Sequence, residues 1–179
     1  FIDTAGLRRK SKIKEDIERF SIIRTVTAAE RADIVVLMID ATEGVTEQDA
    51  KIAGIAHERG KGLIIAVNKW DAVEDKETGT MKEMTEKIKS TLSFCPYAEV
   101  IFISVLTGRG IDKVFNLIDI VNENQNMRIQ TGTLNEILTR ALAMQETPQD
   151  KGKHLRIYYM TQVRVKPPPF VIFVNDKNL

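Results

Sequence analysis

The chain has 179 residues, of which 43% are hydrophobic and 28% are charged, and its formal net charge is +1. This composition is typical of a globular protein with room for one domain and a small additional module. The single cysteine, Cys95, excludes an internal disulfide, and no apolar run approaches the roughly 20 residues that a membrane span needs. We therefore expect a cytoplasmic protein without a membrane partner.

The charge is unevenly distributed along the chain. Residues 1–130 carry 19 basic and 21 acidic side chains, whereas residues 131–179 carry 7 basic and 4 acidic ones. The C-terminal part is therefore net positive, which favours an anionic partner there.

The first motif, Asp3-Thr4-Ala5-Gly6, follows the apolar pair Phe1-Ile2, which has the character of a strand end. A carboxylate at such a position can hold a water on Mg²⁺, because hard cations prefer oxygen ligands. A glycine beside it lets a backbone N–H approach a phosphate closely. We expect Asp3 to bind magnesium through water, although these four residues alone also form a common turn.

The next elements alternate between helix and strand. Helical spacing predicts a helix over residues 15–31, and Ile34 to Ile39 has the composition of a buried strand that ends at Asp40. Thr46-x-x-Asp49 resembles a capping box that begins a second helix, and Gly60 is placed to end it.

The stretch from Leu63 to Val67 is short, apolar and rich in β-branched residues, which predicts a strand buried on both faces of a parallel sheet. Asn68-Lys69-Trp70-Asp71 follows directly, and ligands of open α/β sheets bind outside the carboxyl ends of the strands. A carboxylate accepts hydrogen bonds through two oxygens, and guanine presents two adjacent donors that adenine lacks. We expect Asp71 to select guanine, the Lys69 stem to lie over the base plane and Asn68 to tie neighbouring loops together. A polar turn with an asparagine cap is the alternative.

The pattern continues through a polar loop over residues 72–80 to a third helix that ends before Pro96 and carries Met84, Ile88 and Leu92. We interpret Cys95 as a small packing residue. The strand Val100–Ile103 leads into Ser104-Val105-Leu106-Thr107-Gly108, where a backbone N–H can donate to the guanine oxygen. Gly110 precedes a further helix. Alternating strands and helices indicate a doubly wound α/β fold.

The C-terminal part begins with a polar stretch over residues 122–132, which predicts a domain boundary. Thr133-x-x-Glu136 resembles a capping box, and a long alternating strand follows, with Leu155, Ile157, Tyr159, Thr161, Val163 and Val165 on its buried face. Three prolines at 167–169 break this strand, and another begins at Phe170. The result is a small α+β module. The candidate nucleic-acid contacts on its open side are Arg156, Tyr158, Arg164 and Lys166. The alternative is that these residues form an ordinary polar sheet face.

The three motifs in this order, together with the segment Tyr158-Tyr159-x-Thr161-Gln162-Val163 that runs into prolines, resemble the EngA (Der) family of bacterial ribosome-assembly GTPases. That family carries two tandem GTPase domains followed by a KH-like domain. The resemblance assigns residues 1–126 to the later part of the second GTPase domain and residues 131–179 to the first part of the KH-like domain. The implied fold is an incomplete P-loop GTPase-type, doubly wound, mostly parallel sheet followed by an incomplete α+β KH-like module.

The resemblance also implies a function: a GTP-hydrolysing switch in assembly of the large ribosomal subunit, using GTP or GDP and Mg²⁺, with K⁺ as a candidate further cofactor. Its implied partners are ribosomal RNA, the large ribosomal subunit and the preceding GTPase domain of the same parent chain. Leu7 stands where many GTPases carry the glutamine that orients the attacking water, so no catalytic residue is assigned. The implied nucleotide-binding residues are Asp3, Thr4, Ala5, Gly6, Leu7, Asn68, Lys69, Trp70, Asp71, Ser104, Val105 and Leu106.

The sequence departs from the family pattern in what it lacks. The 179 residues contain neither the phosphate-binding G-x-x-x-x-G-K-[ST] nor a GXXG loop that would clamp an RNA backbone. The chain starts within a predicted strand and stops without a closing element, so we expect both ends to be cut and the 179 residues alone to fold poorly or bind no nucleotide. The alternative function is an RNA- or ribosome-binding module whose nucleotide site is inactive. A third reading is a related GTPase that acts on tRNA or small-subunit RNA.

Overall fold

A computed structural model of the chain describes residues 25–150, 152–164 and 166–178. The chain divides into two compact units between Glu123 and Asn124, and each unit is described by itself. The predicted motif Asp3-Thr4-Ala5-Gly6, Leu7 and the first part of the helix predicted over residues 15–31 lie outside the described residues. None of the helices in the described ranges is long and apolar enough to cross a bilayer.

The first unit is built on a parallel sheet of three strands, β1 (Ile34–Asp40), β2 (Gly62–Asn68) and β3 (Glu99–Phe102), with β2 in the centre. Every residue from Leu63 to Val67 is at most 1% exposed, which confirms a central strand buried on both faces. The register pairs Asp40 with Asn68, so the carboxyl ends of β1 and β2 lie side by side.

Helix α1 (Glu47–Glu58) begins and ends where the sequence predicts. The Asp49 N–H donates to Thr46 Oγ1 at 3.2 Å and the Thr46 N–H donates to Asp49 Oδ2 at 2.9 Å, which is the reciprocal capping box. At the other end Gly60 has a φ of +63°, and its N–H donates to the His57 carbonyl at 2.9 Å. The Lys61 N–H donates to the Ala56 carbonyl at 2.9 Å, completing a Schellman motif.

Helix α2 (Thr80–Thr91) packs Ile88 and its C-cap Leu92 into the core, as predicted. Cys95 is buried beside them, and burial raises the pKa of its thiol. Strand β3 ends one residue before the predicted Ile103, but the Ile103 N–H still donates to the Val67 carbonyl at 2.8 Å. Helix α3 (Ile111–Asn126) extends into the polar stretch that was predicted to be a boundary.

The second unit combines a helix with two small antiparallel pairs. Helix α4 (Thr131–Met144) is followed by the short pair β4 (Gln149–Asp150) and β5 (Lys153–His154), which the sequence did not predict. Strands β6 (Ile157–Gln162) and β7 (Phe170–Val174) then form the predicted second pair. The predicted order of a helix and then two strands is therefore present, with an added hairpin.

The capping box predicted at Thr133 is wrong. The helix begins two residues earlier, its N-cap is Gln130, and no side chain caps it. Contacts from the rest of the unit set this start: the Ile129 N–H donates to Gln162 Oε1 at 2.7 Å, just before the helix. Asn135 Nδ2, one turn into the helix, donates to the Met160 carbonyl at 3.0 Å. These longer-range bonds override the local motif, which therefore lies inside the helix.

The face predicted to be buried along β6 is also wrong at Tyr159 and at Gln162. Tyr159 is 43% exposed, whereas Gln162, predicted to lie on the open side, is 5% exposed. The pairing with β7 shifts register between Ile157 and Tyr159, and such an irregularity changes which of the following side chains face the core. Gln162 Nε2 donates to the Met127 carbonyl at 3.0 Å, which satisfies the buried amide.

The predicted open side of this strand is only partly confirmed. Arg156, Tyr158 and Arg164 are exposed, as expected, but Lys166 is half-buried. Tyr159 stacks on Phe173 of β7 with ring centroids 4.1 Å apart. The β6–β7 pair therefore exposes aromatic side chains, and the exposed arginines Arg156 and Arg164 flank β6 in the sequence.

Candidate functional site

The carboxyl ends of β1, β2 and β3 meet at one edge of the parallel sheet. Asp40 ends β1, Asn68 ends β2, and Ser104 follows β3 by two residues. The predicted motifs at residues 68–71 and 104–106 are thus brought together where open α/β sheets bind ligands.

Three hydrogen bonds join the loops that leave β2 and β3. Asn68 Oδ1 accepts from the Val105 N–H at 3.0 Å, the role expected for this asparagine. The Trp70 N–H donates to the Ile103 carbonyl at 3.1 Å, and the Ile103 N–H donates to the Val67 carbonyl at 2.8 Å. The two predicted binding loops are therefore held to each other by the protein itself.

Lys69 has a left-handed backbone, with φ at 61° and ψ at 32°, and its side chain turns toward β1. Its Nζ lies 2.7 Å from Asp40 Oδ2; the Lys69 side chain is 58% exposed and that of Asp40 only 2%. The other carboxylate oxygen of Asp40 accepts from the Thr42 N–H at 3.0 Å and the Thr42 hydroxyl at 2.7 Å. A buried carboxylate thus fixes the end of an exposed lysine.

Trp70 is buried beneath the turn that carries Asp71. Its ring meets Phe102 edge-on with centroids 4.7 Å apart, and Lys76 Nζ lies 5.6 Å from its centroid. Lys76 Nζ also donates to the Asp71 carbonyl at 3.4 Å. The tryptophan therefore anchors the 3₁₀ turn Trp70–Ala72 on the sheet rather than presenting its ring to a ligand.

Asp71 is exposed at the top of this turn. Within the described part of the chain, no hydrogen bond or ion pair engages its carboxylate. Both oxygens are therefore available to accept from a ligand with two adjacent donors.

The loop after β3 is closed by its own bonds. The buried Ser104 donates its N–H to the Arg109 carbonyl at 3.0 Å, and its Oγ accepts from the Thr107 N–H at 3.1 Å. The Val105 N–H, one of the backbone donors that this loop could offer to a guanine oxygen, is engaged by Asn68. Among the described residues the neighbouring Leu106 N–H makes no hydrogen bond, and the Leu106 side chain is exposed.

The structure adds residues that the sequence pattern did not single out. Asp40 and Lys76 contact the predicted loop at residues 68–71, and Thr42 bonds only to the other oxygen of Asp40. Of these, only Asp40 left a signal, as an acidic residue directly at a strand end. The other predicted residues, Asp3, Thr4, Ala5, Gly6 and Leu7, lie outside the described residues. No group of three or more potential metal ligands occurs in the described ranges.

Residues 19–125, more than half of the chain, match the family described as the elongation factor Tu GTP binding domain. The chain belongs to this GTPase family. Residues 128–179 match the family described as the KH-domain-like of EngA bacterial GTPase enzymes, C-terminal. Both matches agree with the fold of the two units.

The relatives and solved structures point the same way. A protein of Agathobacter rectalis named GTPase Der is 72% identical over 179 residues, which are the whole of this chain and 40% of that protein. The chain thus spans about 40% of the length of the curated relatives that it matches. The resemblance to EngA (Der) predicted from the motifs is confirmed.

Two crystal structures share the fold. Translation elongation factor SelB from Methanococcus maripaludis, in complex with the GTP analogue GppNHp, has a TM-score of 0.52 and 27% identity, covering 63% of this chain and 24% of that one. Era in complex with MgGDPNP and nucleotides 1506–1542 of 16S ribosomal RNA has a TM-score of 0.54 and 21% identity, covering 99% of this chain and 62% of that one. The predicted fold class, a P-loop GTPase-like parallel sheet followed by a KH-like module, is confirmed.

Proposed function

We propose that the complete protein is a GTP-binding and GTP-hydrolysing switch that acts in the cytoplasm in assembly of the large ribosomal subunit. The observation that carries the nucleotide part is the 3.0 Å hydrogen bond between Asn68 Oδ1 and the Val105 N–H. It holds the turn that carries Asp71 beside the Ser104–Leu106 loop at the ligand-binding edge of the sheet.

The described residues fit a guanine base. The unengaged carboxylate of Asp71 accepts from the ring N–H and exocyclic amine together, which adenine cannot offer. The Leu106 N–H, next to the engaged Val105, is the loop donor left for the guanine oxygen. The aliphatic stem of Lys69 covers the base plane, and Trp70 supports the turn from below.

The phosphate end of the site rests on the sequence alone. Asp3 would hold Mg²⁺ through water and Gly6 would offer its N–H to the γ-phosphate, with Thr4 and Ala5 in the same loop. Bound Mg²⁺ would neutralise charge on the phosphates. Leu7 cannot orient a water, so hydrolysis needs another group, and K⁺ is a candidate.

The ribosomal part of the proposal rests on the KH-like unit and the family resemblance. Arg156, Tyr158 and Arg164 are exposed on β6 and around it, where charge and stacking would favour RNA. Era, which shares the fold, is solved with ribosomal RNA. We assign residues 1–126 to a second GTPase domain and residues 131–179 to a KH-like domain, with a preceding GTPase domain and the large ribosomal subunit as partners.

The test of the base assignment is Asp71→Asn in the complete protein. An amide there offers a donor where guanine also donates, while xanthine presents an oxygen, so preference should move from guanine to xanthine nucleotides. Asp75→Asn makes the same change four residues along on an exposed side chain, and it should leave the preference unchanged. Competition of GDP and XDP for a fluorescent nucleotide measures the ratio. An unchanged preference for GDP at the mutated site would overturn the assignment.

The second candidate function is an RNA-binding module that does not respond to nucleotide. The exposed aromatic side chains of the β6–β7 pair and the exposed arginines that flank β6 favour it, because RNA binding through them needs no nucleotide site. This function would be supported if the complete protein bound ribosomal RNA with the same affinity in GDP, in GTP and without nucleotide.

A further inference from the structure

Asp40 and Lys69 make contact across the carboxyl edge of the parallel sheet. Asp40 closes β1 and Asn68 closes β2 beside it, so the carboxylate lies one strand away from the motif that contains Lys69. The carboxylate nevertheless reaches across the edge to within 2.7 Å of the Lys69 ammonium.

The two oxygens of Asp40 have separate partners. Oδ1 accepts from the N–H and the hydroxyl of Thr42, which closes the turn after β1, while Oδ2 faces Lys69. An exposed ion pair would hold a lysine only weakly, because water screens it and the side chain loses rotamer freedom. Here the carboxylate is desolvated by burial and fixed by Thr42, so the lysine meets an acceptor that is already oriented.

The geometry points to Asp40 as a positioning residue that pins the Lys69 side chain along the edge where the base plane lies. The inference rests on the guanine site proposed above. Asp40 acts through the lysine stem, and that stem packs against the plane of any purine base. Loss of the Asp40 carboxylate should therefore lower the affinity for all purine nucleotides without altering which base is preferred. Selectivity stays with Asp71.

The experiment uses the complete protein with Asp71→Asn as its background. In that background xanthosine diphosphate bearing an N-methylanthraniloyl fluorophore reports on this site alone, because any unaltered guanine site elsewhere retains its own preference. Asp40→Asn keeps an oxygen for Thr42 and removes the negative charge that faces Lys69. We expect the Kd for the labelled XDP to rise on the order of tenfold.

A double-mutant cycle separates positioning from a structural effect. Lys69→Met keeps a stem of similar length but has no charge, so adding Asp40→Asn to it should weaken binding no further. Thr42→Val removes the hydroxyl partner of the other oxygen and should change the Kd by less than about twofold if turn closure is not the cause. The ratio of XDP to GDP affinity should be the same with and without Asp40→Asn.

Each outcome decides something different. Three results would overturn the positioning role while the guanine site stands. The first is a double mutant in which the two losses of XDP affinity multiply, and the second is an unchanged Kd in Asp40→Asn. The third is a Thr42→Val variant that raises the Kd as much as Asp40→Asn does. Failure of the Asp71→Asn background itself to bind labelled XDP would instead overturn the proposed site, and the inference with it.

Discussion

Gly110 is the position in the Ser104–Gly110 loop where one added methyl group should have the largest effect. A Cβ built there would lie 2.9 Å from the Phe102 carbonyl oxygen and 3.3 Å from Ile103 Cγ2, and the residue has a φ of +80°. Gly108, two residues earlier, has a φ of +74° but nothing within 4 Å of such a Cβ. The two glycines therefore share the backbone strain and differ in crowding.

The expected cost of each alanine follows from these distances. A left-handed backbone costs a non-glycine residue about 1–2 kcal/mol, which applies to both Gly108→Ala and Gly110→Ala. Forcing a methyl group into a packed site adds about 1–3 kcal/mol, which applies only to Gly110→Ala. The backbone contact at 2.9 Å cannot give way as a flexible side chain would, so the loop must move.

Hydrogen exchange measured by mass spectrometry gives the local free energy of opening for peptides that cover residues 99–110. We expect Gly110→Ala to lower it by about 1–3 kcal/mol more than Gly108→Ala does, with faster exchange at Ser104, whose N–H bonds to the Arg109 carbonyl. Equal losses in the two variants, or a larger loss in Gly108→Ala, would refute the reasoning from crowding.

Two further predictions concern groups away from this loop. Asn135 both donates to the Met160 carbonyl at 3.0 Å and accepts from its N–H at 2.9 Å, so Asn135→Ala should lower the free energy of unfolding by about 2 kcal/mol in urea denaturation. Asn135→Asp, which sets a carboxylate oxygen against that carbonyl oxygen, should lower it by at least as much. Burial raises the pKa of Cys95, so iodoacetamide should modify it on the order of tenfold more slowly in the folded protein than in urea. Labelling of the folded protein as fast as in urea would contradict this slower modification. Stability contributed by the neutral thiol should be lost as the pH rises above the ordinary thiol pKa of 9.0.

The sheet and the first helix could be predicted because their signals are local. A continuous apolar run fixes β2, and Thr46 with Asp49 contains both halves of its own capping box. The role of Asn68 as a tie between loops was also predictable, since the motif follows a strand end directly.

The second unit was predicted less well because longer-range contacts decide it. Thr133 fits a capping box by spacing, yet bonds from Gln162 and Asn135 set the start of the helix elsewhere. One irregular pairing after Ile157 changes which later side chains of β6 are buried, and side-chain alternation alone carries no sign of it. At the candidate site, Asp40 was missed because its partner Lys69 is distant in sequence and adjacent only through strand pairing.

The bonds from Asn68 to Val105 and from Trp70 to Ile103 have a kinetic consequence. Since the protein joins these two loops by itself, the conformational entropy of ordering them is lost on folding and not on association. A ligand at this edge then meets a surface that is already formed, and encounter is not slowed by a search through loop conformations. We therefore expect nucleotides that differ only in their base to associate at similar rates and to be distinguished by how long they stay bound.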